Sequence, residues 1–282
     1  MPEKAPAYGV GQQPNGSGTA CRHDGSVPSV YPLGPTSPKV GECRLCGEYG
    51  PLTRAHVPPA CVGNRFPVRP LAMSPSESGG AEIVLGRERD GGAWIRGLCG
   101  DCNSLLGGNY DEEWARWWNA FADATLADGQ PPRSRLCPVW LPAARPGAFI
   151  RSVLGGLAVL DLTFRTKFPE IAEAVRTGAT MQAPDDVALL LNWTVGNHYY
   201  VTGSTARATL GVPGDNPIYA HAEVSWPPMD LILVPNESRK EWPSSPNILD
   251  FLQDDPEQTR ETSLLLPVID ESRQFATNLS PL

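Results

Sequence analysis

The fold of this chain is decided by three short segments: CRLCG at 43–47, LTRAHVPP at 52–59 and LCGDCN at 98–103. The first and last segments each contain a Cys-x-x-Cys pair, whose tight turn holds two thiolates close enough to bind one ion. Two pairs complete a tetrahedral set, which leaves no position for a substrate and so is typical of structural zinc. One pair alone would also fit a redox motif. The spacing therefore predicts a structural zinc site made of Cys43, Cys46, Cys99 and Cys102.

The composition indicates a globular protein of a reducing compartment. The 282 residues include seven cysteines, of which Cys21, Cys61 and Cys137 lie outside the paired motifs. Metal-bound thiolates beside a few scattered thiols suit the cytoplasm better than a disulfide framework would. The first residues lack the apolar segment of a signal peptide, and no run of about 18 apolar residues is present. We therefore expect a cytoplasmic protein that does not associate with membranes.

Composition also divides the chain into three parts. Residues 1–40 are rich in Gly, Pro and Ser, which predicts a flexible tail because such a segment buries too little apolar surface. Residues 41–110 hold the cysteine pairs and carry seven arginines, no lysine and seven acidic residues. Arginine suits phosphate, although the same count fits an ordinary solvated surface. Residues 111–282 have a net negative charge, which favours a protein partner over a polyanion for that part.

The hydrophobic pattern predicts an α+β fold. Between the cysteine pairs, apolar runs at 82–85 and 93–96 on either side of a Gly-Gly turn predict two strands. Helical periodicity predicts helices over 110–127, 147–162 and 169–177, the first with Asn109 as its N-cap after a break at Gly107 and Gly108. From 186 onward the pattern predicts an antiparallel meander packed with the helices. Its strands are expected at 187–195, 199–202, 206–210, 220–226 and 231–234, with a last one at 264–269.

Two side-chain patterns have structural rather than functional interpretations. An aromatic stripe on helix 110–127, with Trp114, Trp118 and Phe121 on one face, is more typical of a core than of a base-stacking surface. His221 and Glu223 share one face of a predicted strand with Ser225, and a half-exposed face would account for all three. Neither pattern predicts a catalytic site.

Taken together, Cys-x-x-Cys, the LTRAHVPP segment and Cys-x-x-Cys-Asn resemble the HNH endonuclease superfamily. Within it, the pattern is similar to the four-cysteine zinc subgroup that includes enzymes of the recombination endonuclease VII type. The resemblance covers residues 41–110 and implies a ββα-metal fold, with nucleic acid, and DNA above all, as the partner. It implies that His56 is the general base for a water attacking a phosphodiester, and that Asn103 binds a catalytic Mg²⁺ or Mn²⁺ ion. Asn64 would brace the hairpin.

The sequence departs from the family pattern at one position. The residue before the catalytic His is usually Asp or Glu, whereas here it is Ala55, and a methyl group cannot bind a hard cation. The carboxylates nearest in sequence that could replace the missing ligand are those of Asp101, Asp111 and Glu112. Without a replacement, the ion would be bound weakly or the chemistry would be lost.

Three functions remain open from the sequence. The first is a metal-dependent endonuclease, with the third part of the chain recognising a substrate or partner, as in bacterial defence or DNA processing. The second is a non-catalytic module that binds nucleic acid or protein and that has lost its catalytic activity, as Ala55 would indicate. The third is a related enzyme acting on a small molecule. A carboxylate within reach of His56 and Asn103 would favour the enzymes, whereas an apolar site around Ala55 would favour the binding module.

Overall fold

The structure is a computed structural model that describes residues 29–30, 38–75, 81–85, 87–126, 136–195, 199–203, 205–207 and 218–270. Almost all of the predicted tail, including Cys21, lies outside the described residues. Helices and strands are mixed along the chain, which confirms the α+β class. In the described part, none of the helices has the length and apolarity that crossing a membrane requires.

The secondary structure follows the predicted order, with additional elements. Up to the third helix the elements are β1 (Ser29–Val30), β2 (Val40–Glu42), β3 (Tyr49–Pro51), β4 (Thr53–His56), β5 (Arg69–Pro75), β6 (Ala81–Leu85), β7 (Trp94–Leu98), α1 (Gly100–Asn109), α2 (Asp111–Leu126), β8 (Leu136–Ala144) and α3 (Pro146–Leu160). They are followed by α4 (Phe164–Lys167), α5 (Pro169–Thr177), β9 (Val187–Val195), β10 (Tyr200–Thr202), β11 (Thr205–Arg207), β12 (Ile218–Ala220), β13 (Ala222–Trp226), β14 (Met229–Pro235) and β15 (Arg260–Asp270). Short 3₁₀ helices lie at Ala60–Val62, Asn236–Glu241 and Leu249–Gln253.

The largest sheet has six strands in the order β10-β13-β14-β9-β15-β8. Strands β13, β14 and β9 run antiparallel, with Leu231 opposite Val224 on one side and Leu191 on the other. The final strand, β15, returns between β9 and β8, and it pairs antiparallel with β8 but parallel with β9. The sheet is therefore mixed. The expectation of an antiparallel meander is wrong in two respects, because β9 pairs with β14 rather than with the next strand along the chain, and because β15 runs parallel to β9.

Helix α3 lies at the centre of the molecule. Every residue from Pro146 to Val159 is buried, and the helix packs against α1, α2, α5 and the β7 strand. Leu106 of α1 approaches so closely that a Cβ on Gly155 would lie 2.6 Å from its methyl groups, which is why glycine suits that position. One hydrophobic cluster extends from Cys43 to Leu266 and so crosses residue 110. The division of the chain at residue 110 into separate domains stays a prediction.

Strands β4 and β7 pair antiparallel, and β4 carries His56. We call this pair the hairpin, although residues 57–93 lie between its two strands. Ala55 pairs with Ile95 and His56 pairs with Trp94 in an antiparallel register. Because side chains alternate along a strand, Ala55 and Ile95 point into the core, while His56 and Trp94 lie on the outer face. Helix α1 begins two residues after β7 ends, so the order strand, strand, helix surrounds the second cysteine pair.

Several expectations about local structure need correction. Helix α1 continues through Gly107 and Gly108, and Asn109 is its last residue rather than the N-cap of α2. The interpretation of β13 was also wrong, because Glu223 and Ser225 are fully or almost fully buried instead of half-exposed. The aromatic stripe is confirmed as core, since Trp114 and Phe121 are buried and Trp118 packs, partly buried, against the same hydrophobic cluster.

Candidate metal and catalytic site

The four paired cysteines come together as a cluster. The Sγ atoms of Cys43, Cys46, Cys99 and Cys102 all lie within 4.8 Å of one another, and the Sγ atoms of Cys46 and Cys99 are 3.8 Å apart. The first pair turns at Gly47, whose φ of 83° is a left-handed conformation that glycine adopts without strain. The second pair begins α1, where the backbone N–H of Cys102 points to the Sγ of Cys99 at 3.5 Å. A cluster of this composition could hold a metal ion such as zinc.

The thiols of this cluster influence one another's protonation. A hydrogen bond from Cys102 lowers the pKa of Cys43 to about 4, although burial opposes the change. The same contact with Cys43 raises the pKa of Cys102, with burial adding to the effect. Burial raises the pKa of Cys46. Cys43 therefore loses its proton more readily than Cys46 and Cys102 do. The resulting thiolate is the form in which cysteine binds metal.

A cavity of about 180 Å³ lies between the hairpin and the helices. Strand β4 and the turn after it form one wall, α1 and the start of α2 form the second, and α3 forms the third. The lining residues are Arg54, Ala55, His56, Pro59, Ala60, Asn103, Leu106, Gly107, Asp111, Ser152, Gly156 and Val159. The structure thus brings three of the predicted site residues, His56, Asn103 and Asp111, to one cavity.

His56 is oriented by the loop that precedes β7. Its Nε2 lies 2.8 Å from the carbonyl oxygen of Gly91. Because a carbonyl only accepts, the neutral imidazole carries its proton on Nε2 and leaves Nδ1 with a lone pair. The residue is half-exposed, so water can reach the ring. This arrangement suits a general base.

Asn103 connects the first turn of α1 to the hairpin. Its Nδ2 donates to the carbonyl oxygen of Arg54 at 3.2 Å, and its backbone N–H donates to the carbonyl of Cys99 at 3.1 Å. The first bond fixes the orientation of the amide, since only the nitrogen can donate to a carbonyl. Within the described residues Oδ1 forms no hydrogen bond, so it remains an oxygen donor for a cation.

Asp111 is the carboxylate that lines the cavity. Its Oδ1 accepts a hydrogen bond of 2.6 Å from Ser152 Oγ, which lies on the wall formed by α3. Burial raises the pKa of Asp111, while the bond from Ser152 and the nearby charge of His56 act in the opposite direction. Asp101 and Glu112 are exposed and do not line the cavity. Of the candidate replacements for a carboxylate at position 55, only Asp111 lies at the cavity.

Ala55 contributes no ligand atom to this site. Its side chain is only 4% exposed and packs towards the core beside Ile95. The cavity therefore offers one carboxylate, one imidazole and one amide oxygen. Among the residues that the structure describes, the four cysteines are the only cluster of three or more His, Cys, Asp or Glu side chains close enough to share an ion.

Asn64 ties the two ends of the hairpin together. It is fully buried, and its Nδ2 donates to the carbonyls of Pro58 at 2.6 Å and Ala93 at 2.9 Å. Its Oδ1 accepts from the backbone N–H of Ala93 at 2.6 Å. The resemblance of the sequence to HNH endonucleases implies a bracing asparagine at this position, and these three bonds join the turn after β4 to the residue before β7.

Replacing Asn64 by alanine is expected to destabilise the protein by about 3 kcal/mol, because buried backbone groups would lose their partners. Chemical unfolding of the wild type and of Asn64→Ala would measure the difference. Asn119→Ala, an exposed substitution on α2, is a suitable control that should change stability by less than about 0.5 kcal/mol. Equal stability of Asn64→Ala and the control would show that the hairpin does not depend on this brace.

Ser152 is a site residue that the sequence analysis did not identify. It stands next to Arg151 in the run FIRSVLGGLAVL, which is otherwise apolar or glycine. A polar side chain in a fully buried helix requires a partner, and this was the available signal. The sequence does not show that its partner is Asp111, 41 residues away in the chain.

Comparisons of the chain with models of protein families, with curated proteins and with solved structures found no match.

Proposed function

We propose that this protein is a metal-dependent phosphodiesterase of the HNH type that cleaves nucleic acid, with a structural zinc ion at the four cysteines. The observation that carries the proposal is the cavity where His56, Asn103 and Asp111 meet. It combines a general base with oxygen ligands, which is the minimum that hydrolysis of a phosphodiester requires. The zinc ion would hold β4 and α1 in place, because its ligands come from the segments before β4 and at the start of α1.

The donor atoms of the cavity fit a hard divalent cation. Mg²⁺ keeps several waters and is usually bound by one or two carboxylates together with substrate phosphate oxygens. Asp111 supplies a carboxylate and Asn103 an amide oxygen, so the methyl group of Ala55 does not leave the site without an anionic ligand. Mn²⁺ would also accept these oxygen ligands. When bound, such an ion would neutralise charge on the phosphate and on the leaving oxygen.

The residues of the chain define the remaining steps. The Nδ1 of His56 takes a proton from a water molecule while that water's oxygen forms a bond to phosphorus. The bond between phosphorus and the leaving oxygen breaks, and the leaving oxygen takes a proton from solvent. The products are a phosphomonoester and an alcohol. The carbonyl of Gly91 holds the Nε2 proton and stabilises the imidazolium that forms after the transfer.

The size of the cavity favours a polymeric substrate over a small molecule. Sites that enclose a drug-sized ligand have volumes of about 300–1,000 Å³, and the cavity here has about 180 Å³. It is large enough for a phosphate group with a cation and a few waters. The rest of the substrate would therefore lie outside the cavity, as expected of a nucleic-acid strand.

The test is a cleavage assay with single-stranded and double-stranded DNA and RNA in the presence of Mg²⁺ or Mn²⁺. The zinc-loaded wild type should cut at least one substrate only when one of these ions is added. If no substrate is cut under any of these conditions, the proposal is wrong. The alternative function is then a binding module, which the missing carboxylate at position 55 favours, with nucleic acid or a protein partner as its target.

Replacing Asp111 by asparagine should remove cleavage without destabilising the protein. Burial raises the pKa of Asp111, so folding favours the protonated carboxyl. Its contribution to stability is therefore largest below the unfolded-state pKa and is lost as the pH rises through the folded-state pKa. Asparagine carries no charge, so at about pH 8 the midpoint of thermal unfolding should stay equal or rise.

Cleavage and thermal unfolding of Asp111→Asn would be measured together, with Asp101→Asn as the matched control on an exposed side chain. The control should keep full activity. Activity retained by Asp111→Asn would show that this carboxylate does not bind the cation.

A further inference from the structure

An arginine cluster covers the outer face of the hairpin next to the cavity. The guanidinium carbons of Arg54, Arg96 and Arg89 lie 4.2, 5.3 and 5.5 Å from the ring centroid of Trp94. These distances are typical of cation–π contacts, which orient the arginines on the indole. We call these four residues the arginine cluster.

The register of the hairpin places this cluster beside the candidate base. Arg54 pairs with Arg96, and His56 pairs with Trp94. Residues directly opposite each other and residues two apart share a face of a sheet. Arg54, His56, Trp94 and Arg96 therefore lie on one face, and Arg54 also lines the cavity.

None of the described residues neutralises the charge of the cluster. No carboxylate lies within ion-pairing distance of its three arginines in the part of the chain that the structure describes. Two arginines directly opposite each other on a ladder repel and destabilise the pair. The contacts with Trp94 offset part of this repulsion, but they leave the N–H edges of the guanidinium groups available to an anion. The surface therefore matches a partner with regularly spaced negative charges.

We propose that the arginine cluster binds the phosphate backbone of a nucleic-acid strand and directs one phosphodiester into the cavity. The proposal rests on the proposed nucleic-acid substrate, but it concerns binding rather than cleavage. Arginine forks bind two phosphate oxygens at once. Because the guanidinium groups surround Trp94, contacts to phosphate rather than stacking of bases account for recognition. Binding is thus expected to depend strongly on salt and weakly on base sequence.

The experiment measures binding of a fluorescein-labelled DNA duplex by fluorescence anisotropy, over a range of salt concentrations and without Mg²⁺ or Mn²⁺. The proteins are the full-length wild type, Arg96→Gln, and the double variant Arg89→Gln/Arg96→Gln. Each lost phosphate contact should reduce the slope of log K against log salt by about 0.9 and weaken binding roughly tenfold at 0.1 M salt. A labelled single strand serves as the second probe, with an expected change in slope of about 0.7 per contact.

The control variant is Arg239→Gln, an exposed arginine on the 3₁₀ helix that packs against β14 and β9, away from the hairpin. It should bind with the affinity and slope of the wild type. Circular dichroism must show that the variants are folded. Wild-type slope and affinity in the double variant, or no binding of either probe by the wild type, would overturn the proposal.

Binding and cleavage can fail independently. If the wild type binds DNA through the arginines but never cuts it, the proposed role of the arginine cluster is supported and the proposed phosphodiesterase activity is contradicted. If the wild type cuts and the double variant binds with unchanged salt dependence, the phosphodiesterase activity is supported and the proposed role of the arginine cluster is contradicted.

Discussion

Replacing His56 by alanine is expected to reduce phosphodiester cleavage by about 10²–10⁴-fold, the usual contribution of a general base. The reason is the orientation of the ring. Its Nε2 is held by the carbonyl of Gly91, so Nδ1 is the basic atom that can accept a proton from water. Alanine removes that atom and leaves the other cavity-lining side chains unchanged. Initial rates with saturating Mg²⁺ or Mn²⁺ would measure the loss.

His221→Ala is the matched control for this experiment. His221 is also partly covered, and its ring packs against Phe168 with a centroid distance of 5.1 Å, but it does not line the cavity. Both variants should keep the metal content of the wild type and a cooperative unfolding transition. A His56→Ala protein that cuts at the wild-type rate would remove the general-base assignment, whereas equal losses in both variants would indicate a general effect on folding.

Loss of one cysteine ligand is the second large effect. Cys102→Ser should abolish stoichiometric metal binding and leave the Cys43–Cys46 turn without the ion that would join it to the start of α1. Structural zinc sites in small domains contribute apparent free energies of about 10–16 kcal/mol, and whole domains are stable by about 5–15 kcal/mol. The expected outcome is a protein that is insoluble or that lacks a cooperative transition. Metal analysis together with thermal unfolding followed by circular dichroism would measure it.

Cys61→Ser tests whether any cysteine would give the same result. Cys61 is an exposed thiol outside the cluster, so its removal should leave metal content and unfolding unchanged. If Cys102→Ser loses the metal and still unfolds like the wild type, the cluster does not stabilise the fold. If it keeps a full equivalent of metal, the ion is bound elsewhere.

The parts of the site that the sequence predicted depend on spacing over a few residues. The two Cys-x-x-Cys spacings predict the cysteine cluster from local sequence alone. His56 lies in the segment that follows the first pair, and Asn103 directly follows the second pair. The contact between Asp111 and Ser152 is different, because it joins two helices 41 residues apart in sequence. Only the packing of α3 against the start of α2 creates it, and no local pattern carries that information.

Strand β8 and the full length of α1 were not predicted, because both depend on tertiary context rather than on local sequence. Proline cannot donate a ladder hydrogen bond and is rare inside strands, yet Pro138 lies inside β8, which is tolerated because β8 is the edge strand of the sheet. Gly107 and Gly108 suggested a helix end, but α1 continues through them because tertiary packing overrides weak propensity. Leu106, just before them, packs against α3 at Gly155.

The burial of α3 limits what can be separated from the site. Arg44, between the first two cysteines, donates a hydrogen bond to the carbonyl of Val159, and Ser152 and Gly156 of the same helix line the cavity. Cutting the chain after Tyr110 would remove this wall and expose the faces of β7 and α1 that α3 covers. The hairpin is therefore not a transferable cassette: a graft into another scaffold would have to carry α3 and the sheet that encloses it.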